Sequence, residues 1–127
     1  MSLVLMHVDD EPDIREVAAF ALELDPGIDL ASVGSGEEAL ARLRSGFRPD
    51  AILLDVMMPR LDGPGVLEQL RKIPGLETTP VIFMTARVQS GEIEWLKALG
   101  SVGVIVKPFD PMTLTDDVRG LLASERA

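Results

Sequence analysis

Residues 3–10 read LVLMHVDD, a short apolar run followed at once by two aspartates. Three later stretches have the same form: AILLD at 51–55, VIFMT at 81–85 and VIVKP at 104–108. Short apolar runs that alternate with helical patterns predict a parallel β-sheet, whose strands all end at one edge. Open α/β folds place their binding sites at that edge. The side chains predicted to meet there are those of Asp9, Asp10, Asp55, Thr85 and Lys107.

The whole chain divides into five strand–helix units. We predict strands at Leu3–Val8, Ile28–Val33, 51–54, 81–84 and Gly103–Val106. Helices are predicted at 12–24, from Ser35 onward, along Val66, Leu70 and Ile73, at 91–99 and after Asp110. Because crossovers between parallel strands are right-handed, this alternation predicts helices on both faces of the sheet. Five units are too few for an eight-stranded barrel, so the predicted fold is an α/β, doubly wound, five-stranded parallel sheet with five helices.

Local patterns predict where the helices begin and which residues they bury. Ser35 and Glu38 have the spacing of a capping box, and Asp110 is predicted to cap the last helix. The residues predicted to face inward are Ile14, Val17, Ala18 and Ala21 on the first helix, Ile93, Leu96 and Leu99 on the fourth, and Leu114, Val118 and Leu121 on the fifth. We expect His7 to be structural and Trp95 to pack partly into the core, with a partner-binding role for Trp95 as the alternative.

Composition indicates one folded domain over residues 1–127, with 46% hydrophobic residues to form its core. The chain has no cysteine, so disulfides and thiolate metal sites are excluded. A net charge of −9 opposes direct binding of nucleic acid, which needs a basic surface. The apolar runs are too short to span a membrane and the N-terminus lacks a signal-peptide pattern. We therefore expect no membrane contact and a cytoplasmic location.

The predicted cluster of carboxylates calls for a proton or a cation among them. At about 4 Å and an effective dielectric of ~20, one pair of carboxylates repels by roughly 4 kcal/mol. Asp9, Asp10 and Asp55 offer hard oxygen ligands that suit Mg²⁺, while Lys107 and Thr85 can contact phosphate oxygens. The pattern predicts a phosphoryl-transfer site with Asp55 as the nucleophile. Since the chain has no nucleotide-binding loop, the donor would be another activated phosphate.

Four motifs, in this order and spacing, resemble the receiver domain of bacterial two-component response regulators. They are VDDEPDIRE at 8–16, LLDVMMPRLDG at 53–63, MTA at 84–86 and VKPF at 106–109. The resemblance covers essentially the whole chain and implies a flavodoxin-like, CheY-like (βα)5 fold. It also implies that Asp55 accepts a phosphoryl group from a phosphohistidine on a sensor histidine kinase or a histidine phosphotransfer protein.

The same resemblance implies a set of metal ligands. Asp10 would bind Mg²⁺ directly, and Asp9 would assist, often through water. Asp55 and the backbone carbonyl of Met57 would supply the remaining protein ligands.

Further roles follow from the resemblance. Thr85 would move toward the phosphoryl group and Lys107 would pair with it, and the peptide bond between Lys107 and Pro108 is expected to be cis. A downstream protein or an output domain would read the change. The face formed by the fourth helix, the fifth strand and the fifth helix would serve for such a partner or for a homodimer.

The chain departs from the family pattern on the fifth strand. Val104 lies three positions before the lysine, where family members usually carry an aromatic residue. Valine is short and stiff, so our hypothesis is that the signal passes by reordering of segment 86–91, which begins at Ala86. Met57 and Arg87 would flank the phosphoryl group. Because methionine cannot position an attacking water, we expect a slow-to-moderate loss of phosphate.

Three other functions fit parts of the pattern. A haloacid-dehalogenase-like aspartyl phosphatase needs a second aspartate two residues after the nucleophile, where this chain has Met57. A flavodoxin-like flavin carrier needs a first loop that accepts phosphate, whereas Asp-Asp-Glu repels it. A degenerate receiver that acts only as a docking module does not need the acidic pair, Asp55, Thr85 and Lys107, all of which are present. Val104 argues mildly for such a module. We expect a switch that catalyses only its own phosphorylation and slow dephosphorylation, either as a stand-alone receiver or as part of a larger regulator.

Overall fold

The computed structural model of the protein describes residues 2–87 and 89–126. Its elements are β1 (Leu3–Val8), α1 (Pro12–Glu23), β2 (Ile28–Val33), α2 (Gly36–Arg44), β3 (Ala51–Asp55), α3 (Gly63–Leu70), β4 (Val81–Thr85), α4 (Glu92–Ala98), β5 (Gly103–Val106) and α5 (Leu114–Arg126). Neighbouring strands pair in parallel in the order β2-β1-β3-β4-β5. The predicted doubly wound α/β fold is confirmed. Within the described ranges, no helix has the length and apolar character needed to cross a bilayer.

Two apolar layers hold the helices against the sheet. On one face, Met6, Ile52 and Phe83 are fully buried against α2, α3 and α4. On the other face, Leu5 and Leu53 are fully buried against α1 and α5. The central strands β3 and β4 are buried along their whole length, as expected for parallel strands that are covered on both sides.

The strand register aligns the ends of the strands. Val8 pairs with Leu54, Leu54 with Phe83, and Phe83 with Val104, which gives one row of residues across four strands. The polar residues that follow this row therefore lie next to one another at the carboxyl edge of the sheet. This alignment is what brings distant parts of the sequence into one site.

The buried face of α1 is narrower than predicted. Ala18, Ala21 and Leu22 are buried, whereas Val17, which we predicted to face inward, is 42% exposed. Ala18, Ala21 and Leu22 form a stripe with helical spacing, and Val17 lies about 100° away from Ala18 around the helix axis. The prediction for Val17 was wrong because Val17 lies about 90° from the centre of this stripe, where the helix surface turns away from the sheet.

The outer helices also bury fewer residues than predicted. On α4, Leu96 is fully buried, but Leu99, just beyond the helix end, is 40% exposed. Trp95, predicted to pack only partly into the core, is 48% exposed. Because α4 covers the edge of the sheet next to the short strand β5, only one side of its two turns reaches the core. On α5, Leu122 is buried and Leu121, predicted to face inward, is half-buried.

One of the two predicted helix caps is confirmed. Ser35 Oγ accepts a hydrogen bond from the backbone N–H of Glu38 at 3.0 Å, as predicted. Asp110 does not cap α5. Its Oδ1 accepts from the backbone N–H of Met112 at 2.9 Å, which closes an Asx turn over residues 110–112, and the helix begins only at Leu114.

Candidate functional site

Four strand ends carry the side chains that we predicted to meet. Asp9 follows β1, Asp55 ends β3, Thr85 ends β4 and Lys107 follows β5. Asp9, Asp55 and Thr85 are buried and Asp10 is partly buried. One carboxylate oxygen from each of Asp9, Asp10 and Asp55 lies within 4.8 Å of the other two. The predicted cluster of three carboxylates is therefore present.

Lys107 lies between two of these carboxylates. Its Nζ is 3.0 Å from Asp9 Oδ2 and 3.2 Å from Asp55 Oδ1, to which it donates a hydrogen bond. Glu11 Oε1 lies 3.8 Å from the same nitrogen. Glu11 was not among the residues predicted to lie at the site, although it is the third acidic residue of the first motif. The ammonium group offsets part of the repulsion among the carboxylates.

The electrostatics of the cleft favour a proton on Asp55 more than in an ordinary aspartate. Burial, reinforced by the charges of Asp9 and Asp10, raises the pKa of Asp55 to about 6, although Lys107 acts in the opposite direction. Burial acts to lower the pKa of Lys107, but its contacts with Asp9 and Asp55 together outweigh burial and raise that pKa. At neutral pH Asp55 is mostly ionised beside a charged lysine, as a carboxylate nucleophile requires.

Asp9 is fixed in its place by the start of α1. Its Oδ1 accepts a hydrogen bond from the backbone N–H of Glu11 at 2.9 Å. Its backbone carbonyl accepts another from Arg15 Nη1 at 2.6 Å. This role of Arg15 was not predicted, and its one indication in the sequence is its place in the first motif, six residues after Asp9. Since Oδ1 is engaged with the backbone, Oδ2 is the oxygen that faces Lys107.

The hydroxyl of Thr85 is engaged with the turn that follows β4. Its Oγ1 accepts from the backbone N–H of Arg87 at 3.0 Å and donates to the carbonyl of the same residue at 3.4 Å. The hydroxyl must therefore rotate before it can donate to an oxygen in the cleft. Ala86 and Arg87 are both exposed. Within segment 86–91, to which we assigned the signal, Val88 lies outside the described residues.

A cleft of about 360 Å³ opens beside Asp55. Its lining residues are Glu11, Ile14, Asp55, Met57, Ala86, Arg87, Lys107 and Pro108. Met57 lies at its rim, 58% exposed, and the Lys107–Pro108 peptide bond is cis, as the resemblance implied. A larger groove of about 650 Å³ lies between β5 and α5 but contains none of the clustered carboxylates. The chemistry of the lining, rather than the volume, therefore identifies the site.

The donor set of the cleft suits a hard divalent cation. Carboxylate oxygens are the ligands that Mg²⁺ prefers, and this ion keeps several waters when only a few protein ligands bind it. The residues that could hold such an ion are Asp9, Asp10 and Asp55. Lys107 contacts two of these carboxylates and would share them with the ion.

Residues 5–119 match the family described as the response regulator receiver domain. The chain belongs to this family. Receiver domains are the phosphoacceptors of two-component signalling, and the chain has this general function. The resemblance that the four motifs carried is thereby confirmed.

Known relatives agree with the family. The receiver domain is 38% identical over 126 residues to Response regulator Rre1 of Synechocystis sp.. The aligned region covers 97% of this chain and 53% of that protein. It is 33% identical over 118 residues to the DNA-binding response regulator MtrA of Mycolicibacterium smegmatis, covering 93% of this chain and 50% of that protein. The solved structure of the chemotaxis response regulator CheY4 of Vibrio cholerae has a TM-score of 0.86 at 30% identity, covering 95% of this chain and 99% of that chain. The receiver domain spans about half the length of the curated relatives that it matches.

Proposed function

We propose that Asp55 of this receiver domain takes a phosphoryl group from a phosphohistidine on a sensor histidine kinase or a histidine phosphotransfer protein. The observation that supports this most strongly is the position of Lys107 Nζ, 3.2 Å from Asp55 Oδ1 and 3.0 Å from Asp9 Oδ2. A lysine held beside a carboxylate nucleophile needs only a short turn of its side chain to neutralise an incoming phosphoryl group.

Mg²⁺ is the proposed cofactor. Asp10 is proposed as a direct ligand and Asp9 as an assisting one, with Asp55 and the backbone carbonyl of Met57 as the other protein ligands. The support for this is the group of three carboxylate oxygens within 4.8 Å of one another. When bound, the ion would offset the negative charge of the phosphoryl oxygens.

In the proposed transfer, an ionised oxygen of Asp55 attacks the phosphorus atom. An O–P bond forms while the P–N bond of the phosphohistidine breaks, and the electron pair of that bond returns to the imidazole, which takes up a proton. Lys107 turns from the carboxylates to a phosphoryl oxygen. Thr85 turns its hydroxyl from Arg87 to another phosphoryl oxygen and so releases the turn that it now holds. Slow hydrolysis of the aspartyl phosphate resets the domain, which catalyses only these two reactions of its own.

The segment after Thr85 is the proposed route from the site to the surface. Ala86 and Arg87 are exposed and follow the hydroxyl directly. Val104 is half-buried against the core and has no ring to rotate. We therefore assign the change to segment 86–91, and its reader to a downstream protein or output domain on the α4–β5–α5 face, which could also accept a second copy of the chain.

We also propose that residues 1–127 form a single receiver domain. The relative MtrA is a DNA-binding response regulator of which the chain covers half. A net charge of −9 argues against direct contact with nucleic acid by this domain. A cytoplasmic location follows from the proposed donor, because a phosphohistidine has to be made where ATP is present.

Phosphoramidate tests this proposal, because its P–N bond imitates that of a phosphohistidine. The domain is incubated with phosphoramidate and Mg²⁺, reduced with borohydride to trap any acyl phosphate, digested and sequenced by mass spectrometry. The proposal expects the reduced residue at position 55. A phosphoryl group on another residue, or no modification of folded and Mg²⁺-loaded protein, would contradict it, and the second result would favour a docking module.

A further inference from the structure

His7, which is the single histidine of the chain, is fully buried and has no hydrogen-bond partner among the described residues. It lies in β1 between Ser32 of β2 and Leu53 of β3. Neither ring nitrogen makes a hydrogen bond to any of the described residues. Buried polar groups are nearly always hydrogen-bonded, so an unpaired one needs an explanation in another state of the molecule or in a bound group.

One carboxylate oxygen of Asp9 faces this histidine. Asp9 Oδ2 is fully buried and lies 4.0 Å from His7 Nε2. It is at ion-pair distance from Lys107, 3.0 Å, but accepts no hydrogen bond of good geometry from the described residues. The two atoms are about 1 Å too far apart for a hydrogen bond, a gap that a small rotation of either side chain closes.

The contact needs only an N–H on Nε2, which is present both in the imidazolium and in one tautomer of the neutral ring. Burial lowers the pKa of His7 to about 4, and the charges of Lys107 and Arg15 act in the same direction against that of Asp9. A neutral imidazole carries one N–H donor and one bare nitrogen. With its proton on Nε2, the ring can donate to Asp9 Oδ2 without any transfer of charge.

We propose that His7 is a positioning residue for Asp9: His7 donates its Nε2–H to Asp9 Oδ2 when Lys107 leaves that oxygen for the phosphoryl group on Asp55. This inference rests on the proposed function. In the resting domain, Lys107 holds Asp9 Oδ2. After phosphorylation the lysine has a stronger partner, and this buried carboxylate oxygen would have no protein donor left beside the water through which Asp9 is proposed to assist Mg²⁺. In the described part of the chain, His7 is the buried side chain without a hydrogen bond that faces this oxygen, and in this role it keeps Asp9 oriented toward the cleft.

Because there is only one histidine, nitrogen NMR of the ring reports this contact without assignment ambiguity. Protein labelled with ¹⁵N is compared in Mg²⁺ with and without beryllofluoride, which imitates a phosphoryl group. We expect the proton on Nε2 in both states, with a downfield shift and slower solvent exchange of that proton after beryllofluoride binds. A proton on Nδ1, or ring signals that do not change although amide signals around Asp55 do, would overturn the proposal.

Lys107→Met separates this inference from the proposed function. In that variant Asp9 Oδ2 lacks its lysine partner already in the resting protein. The His7 Nε2–H signal should therefore be shifted from its wild-type position in EDTA, without any phosphoryl mimic. An unshifted signal would contradict the positioning role even if beryllofluoride does not bind. Failure of the wild type to bind beryllofluoride would contradict the proposed function alone.

Two substitutions of His7 give a second readout. His7→Phe keeps an aromatic ring of similar size but has no donor, and we expect beryllofluoride affinity to fall about tenfold. His7→Gln keeps an N–H donor and should recover part of that loss. Equal affinities in the wild type and His7→Phe, with both proteins folded, would show that the residue acts only by packing.

Discussion

Lys107 Nζ and Asp55 Oδ1 lie 3.2 Å apart although 52 residues separate them in the chain. The contact joins the end of β3 to the residue after β5, across the intervening strand β4. It holds a cation beside a carboxylate whose pKa is raised by burial. The same lysine also contacts Asp9. In the resting domain, Lys107 thus offsets the negative charge of Asp9 and Asp55. It is the same residue that we expect to turn to the phosphoryl group.

Asp55→Asn should stabilise the metal-free domain at neutral pH. The pKa of Asp55 is raised from 3.8 to about 6 in the folded state, so between these values the folded protein holds a proton that the unfolded chain has lost. Stability from this group therefore falls as pH rises through that window. The full effect is at most about 3 kcal/mol, and solvent in the cleft reduces it to about 1–2 kcal/mol.

Urea unfolding in EDTA measures this difference across the window. The gain of Asp55→Asn should be present above about pH 6 and disappear toward about pH 4. Asp29→Asn, at an exposed position of β2, is the matched control and should change little at any pH. A gain for Asp55→Asn that does not depend on pH would contradict the electrostatic explanation.

Lys107→Met should tighten the binding of Mg²⁺ while it weakens the response to a phosphoryl mimic. The ammonium group lies 3.0–3.2 Å from two of the carboxylates that we expect to bind the ion, and its removal lowers the opposing charge. We expect roughly tenfold tighter Mg²⁺ binding by calorimetry, about 1.4 kcal/mol. Lys97→Met on α4 is the control with the same loss of charge. Weaker Mg²⁺ binding in Lys107→Met would show that the lysine organises the carboxylates more than it competes for them.

Thr85→Val should separate phosphoryl binding from the switch. Valine keeps the shape of the buried side chain but leaves the backbone N–H of Arg87 without its 3.0 Å acceptor, which costs about 1 kcal/mol of stability. Beryllofluoride should still bind, while the amide shifts of residues 86, 87 and 89–91 should no longer respond. Thr85→Ser, which keeps the hydroxyl, should restore the response. If Thr85→Val responds like the wild type, the hydroxyl does not carry the signal.

Met57→Asn should speed the loss of the phosphoryl group. Met57 lies at the rim of the cleft, 58% exposed, with no polar atom to position a water. An amide there can hold the attacking water, and we expect a roughly three- to tenfold higher rate. Met112→Asn, at an 80% exposed position in the turn before α5, is the matched control. The decay of phosphorylated protein, followed by mass spectrometry, should be unchanged in the control and faster in Met57→Asn. Equal rates would mean that water enters the site by another route.

The fold and the meeting of the site residues were predictable because both follow from the strands. An apolar run such as VIFMT gives the strand, and its terminal Thr85 gives the position at the sheet edge. Parallel pairing then brings Asp9, Asp55 and Lys107 together whatever their separation in the chain. The Mg²⁺ and kinase assignments stay predictions, since only the carboxylate geometry bears on them.

Features that depend on tertiary packing were not predictable from the sequence. The exposure of Val17 and the burial of Leu22 depend on how closely α1 approaches the sheet. The turn closed by Asp110 and the contact of Arg15 with the carbonyl of Asp9 depend on side-chain conformation. Residue spacing also does not specify which side chains surround His7, so it could not predict that the ring has no hydrogen-bond partner in the described ranges.

The most direct measurement is the intact mass of the domain after incubation with acetyl phosphate, with and without Mg²⁺. The proposed function predicts a gain of one phosphoryl group that requires Mg²⁺, is kept in the control Asp29→Asn and is absent in Asp55→Asn. A gain of the same size in Asp55→Asn, or no gain in folded wild-type protein that binds Mg²⁺, would contradict the assignment of Asp55 as the phosphoacceptor.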